Sequence, residues 1–266
     1  MSGLLQHNFL YSCEEGRKRG NEQFVPEHAL GCIISGETHF HTNDSLQVFG
    51  SGMIGLIRKN QLVKTMKVPA DDGRPFKSIN IFLDRESLQR YAAEQRIGTQ
   101  KHYSGPSLVQ LTDDRFIRSY FDSLLPYFDE PDQLTPALAA LKTREAIELL
   151  LRNRPALQAF LFDFNEPHKI DLEAFMNQNF TYNVPLSQFA RLTGRSLATF
   201  KRDFKKTFTE TPEKWLSARR LERAHFLISQ KKISPANAYL EAGFENLSHF
   251  SYAFKKFYGY NPSRLK

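Results

Sequence analysis

The chain has 266 residues, 41% of them hydrophobic, and a net charge of +7. That length admits two domains of ordinary size, and no apolar run approaches the eighteen residues that a membrane-spanning helix needs. The N-terminus lacks the basic-then-apolar pattern of a secretory signal, and Cys13 and Cys32 are too few for a disulfide framework or a zinc site, so a cytoplasmic location is expected.

The first hundred residues read as strands and turns. The runs are His28 to Ser35 ending at Gly36, Thr38 to His41, Leu46 to Phe49 followed by Gly50-Ser51-Gly52, Met53 to Arg58, and Ser78 to Leu83. Short strands divided by Gly, Asn and Asp turns predict a small barrel or sandwich. Tyr11, Phe24, Phe40, Phe49 and Phe82 are read as core, with a ligand cavity as the alternative. The period then changes. Asp84 caps a helix through Gln95, Asp113 or Asp114 caps one to about Phe128, and Thr135-Pro136 opens a third. Phe116, Tyr120, Leu124, Ile147, Leu150, Leu151, Leu157, Phe160, Leu161 and Phe164 offer more apolar helix surface than a small barrel needs, so part of it is expected to pair two protomers.

Asn165-Glu166-Pro167 is the expected linker, because a breaker stands there where the charge changes sign. Residues 1–167 hold 19 Lys+Arg against 21 Asp+Glu, and the remainder 17 against 8. The expected division is therefore a domain of residues 1–166 and a basic one of residues 167–266, the latter with the electrostatic footprint of a polyanion binder.

Within the basic part, Leu186 to Leu192 forms a short helix, Thr193-Gly194-Arg195 a tight turn, and Ser196 caps a second helix, which is the layout of a helix-turn-helix. Phe200, Phe204 and Phe208 make its buried stripe and push Ala198, Thr199, Lys201, Arg202 and Lys205 outward, a basic face suited to a major groove. A connector from Glu213 to Ser229 follows. The motif then repeats at an offset of fifty residues, Phe204-Lys205-Lys206 matching Phe254-Lys255-Lys256 and Pro212 matching Pro262. In this copy Ser234 and Pro235 start the first helix, Gly243 turns, and Asn246 caps a helix expected to face Phe250, Phe254 and Phe257 inward. Ser248, His249, Ser251, Tyr252 and Lys255 then form its outer face. Two recognition helices on one connector predict a protein that reads successive major grooves of double-stranded DNA.

These residues resemble the AraC/XylS-type family of bacterial transcription regulators. The signature is Ala190, Gly194, Ser196, Phe204-Lys205-Lys206, Pro212, Arg220-Leu221, Ala224, Gly243-Phe244, Phe250, Phe254-Lys255-Lys256, Gly259 and Pro262, over about a hundred residues. The resemblance implies base contacts from Ala198, Lys201 and Arg202, and from Ser248, His249, Ser251 and Tyr252. It implies an α+β chain with a cupin-like sensing barrel, a helical dimerisation subdomain and an all-α tandem helix-turn-helix domain. It further implies a regulator, most simply an activator, that works as a homodimer with RNA polymerase under a small-molecule or protein effector. In style the chain is similar to members that activate type III secretion genes, where a partner protein holds control. Two positions depart from the pattern: Thr209 stands where a helix-ending Gly is usual, and Ala238-Tyr239 where a large apolar residue precedes Ala.

His39 and His41 share one face of a strand and could begin a metal site, but Asp44 is a poor third ligand and no later His completes the set. No metal, cofactor or catalytic centre is therefore expected. A metal-dependent barrel oxygenase with a DNA-binding tail and a sequence-indifferent architectural binder are the rival readings.

Overall fold

The structure, a computed structural model, describes residues 4–19, 24–41, 46–98, 103–111, 114–165 and 168–265. The expected linker residues Glu166 and Pro167, the alternative cap Asp113 and the weighed ligand Asp44 lie outside the described residues. The chain divides into two compact units, residues 1–165 and 166–266.

In the first unit the strands are β1 (Leu4–Gln6), β2 (Phe9–Glu14), β3 (Lys18–Arg19), β4 (Phe24–Val25), β5 (His28–Ser35), β6 (Glu37–His41), β7 (Leu46–Gly50), β8 (Ile54–Ile57), β9 (Gln61–Leu62), β10 (Lys64–Val68), β11 (Phe76–Leu83) and, after helix α1 (Arg85–Glu94), β12 (Leu108–Gln110). They form a six-stranded sheet in the order β1-β2-β11-β5-β8-β12, a four-stranded sheet β3-β10-β6-β7, and the pair β4-β9. The sequence left a barrel and a sandwich open; among the described residues no ladder joins these sheets into the closed barrel that the family resemblance implies. At Gly36 the chain leaves the larger sheet for the smaller one.

Period-two alternation gives the larger sheet two different faces. On β11, Ile79, Ile81 and Leu83 are fully buried in the main core, whereas Ser78, Asn80 and Phe82 line a cavity. The cavity, of about 450 Å³, is bounded across from β11 by Thr38, Phe40, Thr65 and Lys67 of the smaller sheet. Of the five aromatic residues weighed between core and cavity, Phe24, Phe40 and Phe82 line it. Phe49 packs edge-on beneath Phe40 at 5.4 Å, and Tyr11 turns the other way to stack on Phe128 at 4.7 Å.

The opposite face carries helices α2 (Arg115–Asp122), α3 (Pro126–Asp129), α4 (Pro136–Asn153) and α5 (Leu157–Leu161), with a 3-10 turn at Pro131–Gln133. Asp114 caps α2, its carboxylate accepting the Phe116 and Ile117 N–H groups at 2.7 and 3.2 Å. The single helix expected from there to Phe128 is broken by Pro126, which cannot donate within a helix and instead starts α3. The apolar surplus assigned to a protomer interface is largely core: Tyr120, Leu124, Ile147, Leu150, Leu157, Phe160 and Leu161 are all buried in one cluster with Leu30, Leu56 and Ile81. A two-layer fold needs that surface to cover its sheet. Phe116, Leu138 and Leu141 remain exposed.

The second unit is all helical: α6 (Leu172–Asn179), α7 (Leu186–Leu192), α8 (Leu197–Phe208), α9 (Pro212–Ser229), α10 (Pro235–Ala242), α11 (Leu247–Tyr258) and a 3-10 turn at Pro262–Leu265. No described helix in either unit is long and apolar enough to cross a membrane.

Candidate nucleic-acid interface

The α7-turn-α8 unit is fixed by its turn. Thr193 is buried and its hydroxyl donates to the Phe189 carbonyl at 2.9 Å. Gly194 lies at φ +65°, and a Cβ there would come within 2.4 Å of the His168 carbonyl group, so both backbone conformation and space require glycine. Arg195 Nε then donates to Asp203 Oδ2 at 3.1 Å while its Nη1 donates to the Thr193 and Ile170 carbonyls at 2.7 and 3.1 Å. The Arg195 hydrogen bond leads the effects that hold the Asp203 carboxyl below its usual range, with the Lys169, Arg195 and Arg202 charges acting alongside. Ser196 caps α8 by accepting the Thr199 N–H at 3.2 Å.

On α8, Phe200 and Phe204 are fully buried, and Phe208 packs on Trp215 of α9 at 4.6 Å. Ala198, Lys201, Arg202 and Lys205 stand exposed on the other side, as expected. Thr199 is half-buried and its Oγ1 is hydrogen-bonded to the Ser196 hydroxyl at 3.0 Å. Lys201 reaches Glu213 at 3.4 Å and Arg202 reaches Asp203 at 3.6 Å. These exposed pairs are weak and can be exchanged for phosphate or base partners at little cost.

The second unit repeats the design with differences. Ser234 occupies the cap position of α10 without a side-chain capping bond, and Pro235 fills N1. Gly243 turns at φ +100°, where a Cβ would meet the Thr181 carbonyl oxygen at 2.6 Å, and Asn246 caps α11 by accepting the His249 N–H at 2.9 Å. Phe250 and Phe254 are fully buried, but Phe257, expected inward, is 51% exposed. Strict i, i+4, i+8 spacing from Phe250 selects Tyr258, which packs on Phe254 at 4.7 Å. Ser248, His249, Tyr252 and Lys255 are exposed. Ser251 is half-buried and donates its hydroxyl to the Leu247 carbonyl at 2.8 Å. At the departure from the family pattern, Ala238 and Ala242 are fully buried, while Tyr239 lies half-buried and stacked on Phe250 at 6.2 Å.

Connector α9 has eighteen residues, a length of about 27 Å at 1.5 Å per residue. Its Arg220 holds the loop ahead of α7: Nε donates to the Phe180 carbonyl at 2.8 Å, Nη2 to the Tyr182 carbonyl at 2.8 Å, and Nη1 to Asn183 Oδ1 at 3.1 Å. Burial lowers this guanidinium to about 10, so it stays charged at neutral pH. In the sequence Arg220 stands out only as part of the family signature, although its place four residues from both Leu216 and Ala224 puts it on the buried side of α9. In the first unit, His39 Nε2 is hydrogen-bonded to Glu37 at 2.5 Å, and no group of three His, Cys, Asp or Glu side chains able to hold a metal gathers among the described residues.

Two helix-turn-helix units at either end of one connector, each with a capped second helix, the first with a basic outer face and the second with a polar one, define a DNA-binding protein of the tandem type. A helix-turn-helix domain profile matches residues 189–266, and an ExsA N-terminal regulatory domain profile matches residues 28–160. The chain belongs to the AraC/XylS-type family of transcription regulators. The HTH-type transcriptional regulator ExsA of Pseudomonas aeruginosa is 33% identical over 133 residues, covering 49% of this chain and 48% of that protein. The virulence regulon transcriptional activator VirF of Yersinia enterocolitica is 36% identical over 95 residues, covering 36% of this chain and 35% of that one. The matched part spans less than half the length of each of these relatives. A crystal structure of ToxT from Vibrio cholerae aligns over 97% of both chains at 11% identity, with a TM-score of 0.47.

Proposed function

We propose that this protein is a cytoplasmic, sequence-specific transcription activator whose two helix-turn-helix units read successive major grooves. Ala198, Thr199, Lys201, Arg202 and Lys205 form the first reading face and Ser248, His249, Ser251, Tyr252 and Lys255 the second. The supporting observation is the duplicated architecture itself, in which each outer face is set by an inward phenylalanine pair, Phe200/Phe204 and Phe250/Phe254. Thr199 and Ser251, already bonded within their helices, contribute shape more than new hydrogen bonds. Activation is carried over from the description of VirF as an activator, and RNA polymerase is the partner proposed with it.

The β-rich unit, residues 1–166 in this reading, is a cupin-like control domain. A small effector with an apolar body enters the cavity between the sheets, and two protomers pair through the exposed Leu138 and Leu141 of α4. Selection of binding sites from random duplexes with the full chain, followed by footprinting, is the test. Two protected segments one helical turn apart per protomer are expected, and uniform coverage without a preferred sequence overturns the reading in favour of an architectural binder. The effector claim is tested by fluorescence of anilinonaphthalene sulfonate, which should rise on entering the cavity and be lost when Ile33→Phe fills it.

A further inference from the structure

The wall of the cavity is continuous with a buried charged cluster at the very end of the β-rich unit. Ala29 on β5 and Ile57 on β8 are register partners, and both line the cavity. Of their chain neighbours, Arg58 and Lys59 leave the cavity and meet Asp163, and His28 lies against Lys59. Arg58 Nη2 donates to Asp163 Oδ2 at 2.7 Å, and Lys59 Nζ donates to the Asp163 main-chain carbonyl at 2.5 Å. The Tyr103 N–H joins Oδ2 at 3.1 Å, while the Asn165 N–H and side-chain amide bind Oδ1 at 3.2 and 2.7 Å.

The Asp163 side chain is 1% exposed, and Arg58 also lies over the Tyr103 ring at 5.3 Å. Burial by itself would raise the carboxyl, but the bonds from Tyr103 and Asn165, together with the Arg58 charge, hold it below the usual carboxylate range. Burial, with Lys59 and Arg58 beside it, pulls the His28 imidazole down to about 3. The ring therefore stays neutral, and its Nδ1 accepts the Lys59 N–H at 3.3 Å.

Nothing in DNA binding calls for this cluster, yet it fastens the last residues before the unit boundary to the strand ends that bound the cavity. We propose that Asp163 is the relay between cavity and linker. A group that fills the cavity against the Ala29–Ile57 pair displaces Arg58 and Lys59, loosens their hold on Asp163, and frees the segment that leads to the DNA-binding unit. A buried carboxylate suits the task because its partners must hold it together or release it together, so a small displacement of one wall is converted into a discrete change. The inference rests on the effector reading of the cavity given above.

The test uses the full chain and needs no known effector. Ala29→Met adds a flexible side chain to the cavity, and Ile33→Phe, from the same wall, replaces it if the first variant does not fold. Asp163→Asn removes the charge without changing the shape of the residue. Amide exchange at Tyr103 and Asn165 should rise about tenfold or more in both the filled and the Asp163→Asn proteins. Affinity for a selected duplex should change in the same direction in each, with the double variant no further shifted than Asp163→Asn alone. Filled variants with wild-type exchange at those two amides, or Asp163→Asn with wild-type DNA affinity despite faster exchange, overturn the relay. Failure of anilinonaphthalene sulfonate to enter the wild-type cavity, with these responses intact, overturns the effector reading and leaves the relay standing.

Discussion

Arg195 Nε and Asp203 Oδ2 lie 3.1 Å apart and tie the turn of the first helix-turn-helix to the middle of its recognition helix. A folded-state carboxyl held below 3.8 contributes stability that is complete above the ordinary aspartate value and is lost as pH falls through the lowered one. Thermal unfolding of residues 168–266 should therefore show an acid limb below about pH 4 that is shallower in Asp203→Asn. An unchanged limb in that variant would assign the acid sensitivity to other carboxylates.

Thr209 ends α8 in the left-handed conformation at φ +60°, where the second copy has Gly259 at φ +83°. A β-branched residue there is strained, so Thr209→Gly should stabilise the helical unit by about 1 kcal/mol in denaturant titrations without altering DNA affinity. Gly194→Ala should act oppositely and cost about 2–4 kcal/mol, since it adds backbone overlap with His168 to an unfavourable φ.

Arg202 is exposed on α8 with only a loose pairing to Asp203 at 3.6 Å. Arg202→Ala should cost about 1–3 kcal/mol at the selected site, with much less effect on random DNA, if the side chain reads a guanine. Equal losses on both duplexes in a gel-shift titration would make it a phosphate contact.

Leu141 on α4 is 62% exposed, whereas Leu150 on the same helix is fully buried. Leu141→Glu should give folded monomers in sedimentation at micromolar concentration and weaker binding to a two-site duplex. Leu150→Glu should instead unfold the β-rich unit, because it places a charge in the core shared with Leu30 and Leu56. A wild-type chain that sediments as a monomer across that range, alone and on DNA, would end the dimer proposal.

The sequence by itself determined what depends on near neighbours. The tandem helix-turn-helix was legible because caps, glycine turns and phenylalanine stripes act over four to eight residues: Ser196 and Asn246 cap as their position implies, and Phe200, Phe204, Phe250 and Phe254 bury as their spacing implies. The alternation of Ile79, Ile81 and Leu83 with Ser78, Asn80 and Phe82 was equally present in the chain, but it could not say that one face meets helices and the other a cavity. Tertiary structure alone decided which apolar residues between 114 and 164 are core, because burial depends on what a distant segment places opposite each side chain. The same holds for Arg220 on the Phe180–Asn183 loop and for Asp163 beneath Arg58, 105 positions earlier in the chain. Those pairings are settled only when desolvation leaves each charge a single set of partners within reach.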